Sequence, residues 1–302
     1  MPDQRAMKRL IINADDFGRS PQVNAAILRA HRHGVLTSAS LMVAEPAASE
    51  AAAAARGCPE LDVGLHVVAC NGQSLLPARQ LRGLVDASGR FPKHEAWAGL
   101  RYAVLGSLRG KLRDEFRAQI ERHLELMGYL NHINGHHNLH LHPTLADILI
   151  ELAAEYRVPC LRLVREPVLT TLALNHDHWP RKLRDHVLFS RLSGRARRTM
   201  QRRGLMGNDC LFGFHQTGNL SEPYVLGVLA RLPEDGTTEF YFHPSIEVKG
   251  QPPMWPSQAV ETAILTSPAV RGAIEKHGIR LTTFREMAGR AAMTDGTVQT
   301  SI

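Results

Sequence analysis

The sequence predicts an α/β chain folded as a (β/α) barrel, regular, distorted or incomplete, and three observations carry that reading. Eight short apolar runs alternate with helical segments along the chain. Polar residues suited to chemistry gather where those runs end, as they do at the carboxyl end of barrel strands. The length, 302 residues, suits one such barrel without a disulfide framework. An open, doubly wound sheet is the competing arrangement.

Taken in order, Lys8 to Ala14 is an apolar run that reads as a buried parallel strand, ending at Asp15-Asp16. Ser20-Pro21 supplies an N-cap and a first-turn proline, and Val23, Ile27 and Ala30 share one helical face up to Gly34. Ser38 to Val43 reads as the second strand, Pro46 to Arg56 as an Ala-rich helix, and Asp62 to Val68 as the third strand. Further strands fit His132–Asn134, Cys160–Val164, Cys210–Phe214, Thr238–His243 and Gly278–Leu281. Helices fit Ser107–Met127, Pro143–Tyr156, Ser221–Leu229 and Ser257–Lys276. One domain is expected over 8–290, with insertions near 72–106 and 170–207 over one end of the barrel and a tail at 291–302.

Composition narrows the function. Aromatic residues make up 6% of the chain, too few for a wall of rings that stack single-stranded bases, so nucleic acid is not an expected partner. The net charge is +7, yet nine Arg or Lys between Arg181 and Arg203 face Asp185 alone; that segment carries +8 and the remainder −1. Cys58, Cys70, Cys160 and Cys210 are scattered, as reduced and buried thiols are, and no apolar stretch approaches a membrane span. A cytoplasmic protein is expected.

Three clusters carry chemistry. Asp15-Asp16 places two carboxylates side by side, an arrangement that needs a cation or proton to offset their repulsion. His66 lies in Val63-Gly64-Leu65-His66-Val67, where Gly64 shares its face and would leave room beside the imidazole. The run from His132 to His142 holds five histidines, and His136 and His140 are four apart, which would put both rings on one side of a helical turn. Imidazole is the commonest metal-binding side chain, so this run reads as part of a metal site; His132, His137 and His142 read as supporting residues. Phe240-Tyr241-Phe242-His243 ends another apolar strand with a histidine suited to general acid work or to a capped structural role. Arg162 is a charge near the end of its strand that either binds substrate polar groups or pairs with a carboxylate such as Glu166.

The strings Asn13-Ala-Asp-Asp-Phe-Gly18, Gly64-Leu-His66, Asn134-Gly-His136-x-x-x-His140, Arg162-x-x-x-Glu166 and Phe242-His-Pro244 make the chain resemble the YdjC-like carbohydrate deacetylases. Leu65-His-Val-Val with Asn71-Gly-Gln, and Phe212-Gly-Phe-His-Gln-Thr-Gly218, are similar to the branch associated with hopanoid biosynthesis. The resemblance implies a barrel-like fold and removal of acetyl from an N-acetylated sugar. It also implies one divalent ion, Zn²⁺ or Mg²⁺ with Mn²⁺ and Co²⁺ as further choices, held by Asp16, His66 and His136. Asp15 then becomes the base, His243 the acid and Arg162 a substrate-binding residue, while His140 is either a further ligand or an orienting neighbour.

Two other readings stand beside this one, another metal-dependent hydrolase on the same residues and a non-enzymatic membrane-surface binder using the Arg-rich segment. Asp and His ligands on a barrel also suit another metal-dependent hydrolase such as a phosphoesterase. The segment 181–203 reads as a basic amphipathic helix, either lying on an anionic membrane or packed as a lid with its arginines in water. Membrane contact would suit a glycolipid substrate at the inner face of the membrane.

Overall fold

The computed structural model describes residues 7–247 and 257–294. Eight strands, all paired in parallel, form one sheet: β1 (Arg9–Phe17), β2 (Ser38–Leu41), β3 (Asp62–Val67), β4 (His132–Gly135), β5 (Cys160–Leu161), β6 (Cys210–Phe212), β7 (Thr237–Phe242) and β8 (Arg280–Leu281). Seven follow the order β5-β4-β3-β2-β1-β7-β6, and β8 pairs with the start of β1. This is the expected (β/α) barrel in its incomplete form.

No ladder joins β5 to β6 among the described residues. Asn208 bridges that seam instead, its Oδ1 accepting from Leu163 N and its Nδ2 donating to Leu163 O and Cys210 O. The buried backbone groups at the opening are thus satisfied by this side chain together with single backbone bonds, Leu161 N to Met206 O and Leu211 N to Arg165 O.

The helices are α1 (Pro21–His33), α2 (Ala48–Arg56), α3 (Glu95–Val104), α4 (Arg109–Met127), α5 (Pro143–Glu155), α6 (Val168–Leu174), α7 (Trp179–Gln201), α8 (Glu222–Leu229), α9 (Ser257–Leu265), α10 (Pro268–Lys276) and α11 (Phe284–Thr294). Ser20 caps α1 as its sequence predicts, its Oγ accepting from Val23 N at 3.3 Å. The single helix expected over 257–276 is two, because Ser267 caps a new start at Pro268, and proline cannot continue the preceding helix. The region 72–106 contains α3, absent from the sequence reading, and 170–207 contains most of α6 and all of α7. The first four residues of the expected tail complete α11, and 295–302 lie outside the described residues.

The largest difference lies at the end of β1. The strand runs on through Asp15 and Asp16 to Phe17 instead of stopping before them. Its register with β2 shifts between Ala14 and Phe17, so an extra residue is inserted there, and Asp16 takes a left-handed φ of 67°. Aspartate tolerates that region better than most residues, and such a bulge re-aims side chains.

Candidate metal centre

The bulge decides where the two carboxylates go. Strict alternation would send Asp15 and Asp16 to opposite faces of β1. The inserted residue lets both reach one imidazole: Asp15 Oδ1 lies 3.9 Å from His66 Nδ1, and Asp16 Oδ1 lies 3.4 Å from His66 Nε2. Asp16 Oδ1 also lies 3.0 Å from His136 Nδ1. One ligand atom from each of Asp16, His66 and His136 falls within 4.8 Å of the others, and all three residues are buried. Asp16 is further held by Arg19, whose Nη1 donates to Oδ2 at 2.7 Å.

Asn134 fixes the tautomer of His66. The two residues are register partners across β3 and β4. Asn134 Nδ2 donates to Ser40 Oγ and Asp15 Oδ1, which turns Asn134 Oδ1 toward His66 Nδ1 at 2.7 Å. The proton therefore sits on Nδ1, and the Nε2 lone pair faces the Asp16 carboxylate. Two acceptors facing each other in a buried site call for a cation between them. That is either a metal ion or a second proton on His66, whose pKa burial would lower but the Asp15 and Asp16 carboxylates raise. Asp16 Oδ1, His66 Nε2 and His136 Nε2 are buried without hydrogen-bond partners, a state that is costly unless something compensates it. The donor set of one carboxylate and two imidazoles fits a divalent ion.

Beneath this group lies a buried ionic layer. Arg162 donates from Nη1 to Asp15 Oδ2 at 2.7 Å and from Nη2 to Asp15 Oδ1 at 2.8 Å. Its Nε and Nη2 also donate to Glu239 Oε1, at 2.9 and 2.6 Å, and the guanidinium sits 4.6 Å from the Tyr241 ring centroid. Arg162 is 0% exposed. The expectation that it touches substrate is thus corrected: its donors are spent below the site, on Asp15 and Glu239 rather than on a ligand or Glu166. Burial alone would raise the Asp15 carboxyl, but Arg162, with His66 behind it, outweighs burial and holds it below its ordinary range. Asp16 is likewise held well below its ordinary value, because His136 and His66 outweigh its burial.

His140 does not join the group. The residues between it and His136 are not helical: His137 and Asn138 both adopt left-handed φ of 54°. The ring instead reaches the Arg162 carbonyl, Nε2 to O at 3.1 Å, and burial pushes its pKa down to about 3. Gly64 also serves a different neighbour from the one expected. A Cβ there would lie 2.3 to 2.5 Å from ring atoms of His132, which stacks on Phe284 with centroids 4.1 Å apart.

His243 follows β7 directly, and its backbone N–H donates to the buried Glu261 carboxylate. Asp15, His66, His136 and His243 all line one cleft of about 760 Å³, a size suited to a small ligand. Its walls include Tyr241, Phe214, Phe189 and Leu192.

Sequence reasoning missed Asn13, Ser40, Asn134 and Glu239, the polar layer that orients these groups. The signals were present: Asn13 and Asn134 open the two densest motifs, and Glu239 is a lone charge inside an apolar strand.

Comparison with known proteins agrees with this geometry. A family model described as YdjC-like protein matches residues 9–276. A carbohydrate deacetylase of Geobacillus stearothermophilus is 30% identical over 279 residues, covering 91% of this chain and 96% of the relative. One from Brevibacillus brevis is 38% identical over 151 residues, 50% of this chain and 58% of the relative. A crystal structure from Enterococcus faecalis V583, described as a cellobiose-phosphate cleavage protein, superposes with a TM-score of 0.72 at 26% identity, covering 93% of this chain and 99% of that one.

Proposed function

The chain belongs to the YdjC-like protein family, and from that premise we propose that it is a metal-dependent N-deacetylase of N-acetylglucosamine-type sugars. The observation that carries the metal dependence is the meeting of the unpartnered Asp16 Oδ1 and His66 Nε2 with His136 on the wall of the cleft. A divalent ion held by Asp16, His66 and His136 would supply Lewis-acid polarisation of the acetyl carbonyl and a more acidic water. Two imidazoles suit Zn²⁺, Mn²⁺ or Co²⁺ better than Mg²⁺.

The remaining chemistry belongs to the side chains. Asp15 Oδ1 already accepts from Asn13, Asn134 and Arg162, whereas Oδ2 accepts from Arg162 alone. Oδ2 therefore keeps acceptor capacity and is the atom that takes the proton from the attacking water. The water oxygen adds to the acetyl carbon, the C–N bond breaks, and His243 delivers a proton to the departing nitrogen. That proton is needed because an amine anion leaves poorly. The products are the free amino sugar and acetate.

The branch motifs, Leu65-His-Val-Val and Phe212 to Gly218, support a sugar carried on a hopanoid lipid and met at the inner face of the membrane. No helix of the described residues is long and apolar enough to cross a membrane, so contact with that surface would be peripheral.

The test is acetate release from an N-acetylglucosamine glycan, with and without a chelator, for the wild-type chain and Asp16→Asn. Release that both the chelator and the substitution abolish is expected. Chelator-insensitive release, or phosphate release from a phosphomonoester without acetate release, would overturn the reading.

A further inference from the structure

Two helices that border the cleft carry apolar side chains in water. Glu95 and Ala96 of α3 line one part of it, and Arg184 and Leu188 of α7 line another. On α3, Trp97, Leu100 and Val104 recur at helical spacing along one face and are 57, 55 and 66% exposed. On α7, Trp179, Leu183 and Val187 recur every fourth residue and are also exposed. Of the eleven large apolar residues exposed among the described residues, nine lie between Trp97 and Leu105 or between Leu169 and Leu188. Monomers rarely concentrate exposed apolar surface in this way.

Positive charge predominates on the same rim: Glu95 and Asp177 are exposed acids there, but the basic residues of α7 outnumber them. Arg195 and Arg197 are spent on Asp147 and Asp209, and Lys182 is buried against Asn175. Arg181 and Arg184 share Asp185 as their single acid, and Arg191 and Arg198 add exposed positive charge further along α7. A second copy docked face to face would set these arginines against themselves, a costly juxtaposition. An acidic, apolar surface matches both features at once. Tryptophan favours the interface between water and lipid, and arginine favours anionic headgroups.

We infer that the α3–α7 rim docks the protein peripherally on an anionic lipid bilayer, with the cleft opening at the headgroup layer. Docked this way, the cleft meets a headgroup-borne sugar without extracting the lipid. The inference is read without substrate, so it can fail while the deacetylase reading stands, and the reverse.

The experiment is co-sedimentation of the full chain with vesicles of phosphatidylcholine alone or with phosphatidylglycerol, at low and high salt. Three double variants accompany it: Trp97→Ser with Leu100→Ser, Trp179→Ser with Val187→Ser, and Arg191→Gln with Arg198→Gln. None of these residues lines the cleft, so basal turnover on a soluble sugar is expected to hold. The wild-type chain should bind phosphatidylglycerol vesicles at low salt and be released at high salt. Each double variant should weaken that binding about tenfold or more, the apolar pairs by losing interfacial anchors and the arginine pair by losing headgroup attraction. Failure to bind anionic vesicles would overturn the inference, as would binding unchanged in either apolar variant. Light scattering that shows a dimer dispersed by the tryptophan variants would assign the rim to a second copy instead.

Discussion

Arg162 grips Asp15 through both terminal guanidinium nitrogens, Nη1 to Oδ2 at 2.7 Å and Nη2 to Oδ1 at 2.8 Å, and the arginine is wholly buried while Asp15 keeps a small edge on the cleft. The clamp occupies both oxygens alike, so Asn13 and Asn134, which donate to Oδ1 only, set which oxygen of Asp15 is free to take a proton. The clamp also neutralises a carboxylate that burial would otherwise penalise.

Arg162→Lys keeps the charge but loses the fork that matches a carboxylate. Asp15 then turns, and a misplacement of about 1 Å costs about a hundredfold in rate. We expect kcat for acetate release to fall by about that factor while the fold survives. Arg162→Ala leaves Asp15 and Glu239 buried without their partner, and thermal unfolding should show a loss of about 3–5 kcal/mol. A kcat in Arg162→Lys equal to wild type would remove Asp15 from its assigned role.

His243 is assigned to the leaving nitrogen, so its loss should depend on the leaving group. His243→Asn should lower turnover of an N-acetyl sugar by about 10²–10⁴. An acetyl ester with an activated phenolate leaving group needs no such proton and should lose far less. Equal losses on both substrates would contradict the assignment.

Glu166 gives the fold a pH dependence. It is buried, accepts from Thr171 Oγ1, Tyr224 Oη and His215 N, and burial raises its pKa to about 7 from an ordinary 4.5. The folded chain thus binds this proton more tightly than the unfolded chain. Its contribution to stability is complete below pH 4.5 and is lost as pH rises through 7. The loss is about 3 kcal/mol by linkage. Unfolding midpoints should fall over that range in the wild type and fall less steeply in Glu166→Gln.

Gly64 is a packing requirement for His132. Gly64→Ala drives a Cβ into the His132 ring and should cost about 1–3 kcal/mol in urea denaturation. Adding His132→Ala should recover part of that loss, because the colliding ring is gone. A double variant less stable than the sum of the single ones would contradict the contact.

Much of this was legible in the sequence, for identifiable reasons. Ser20-Pro21 fixed the start of α1 locally, and the apolar runs located β1 to β7 because parallel strands are buried on both faces, whereas β8 is a two-residue, partly exposed strand. Asp16, His66 and His136 stood out because motifs mark them. The bulge that unites Asp15 with Asp16 was not legible, since only pairing with β2 reveals it. The His136–His140 spacing misled because two left-handed residues interrupt the turn. Arg162 misled because a strand charge looks alike whether it faces a ligand or the buried partners Asp15 and Glu239.

Anomalous diffraction from crystals grown with Zn²⁺ or Mn²⁺ reports the metal assignment atom by atom. One peak is expected per chain, about 2.0–2.2 Å from an oxygen of Asp16 and one nitrogen each of His66 and His136, and missing in Asp16→Asn. A peak that leaves these three residues unengaged, or no peak at all from a metal-replete crystal, would contradict it.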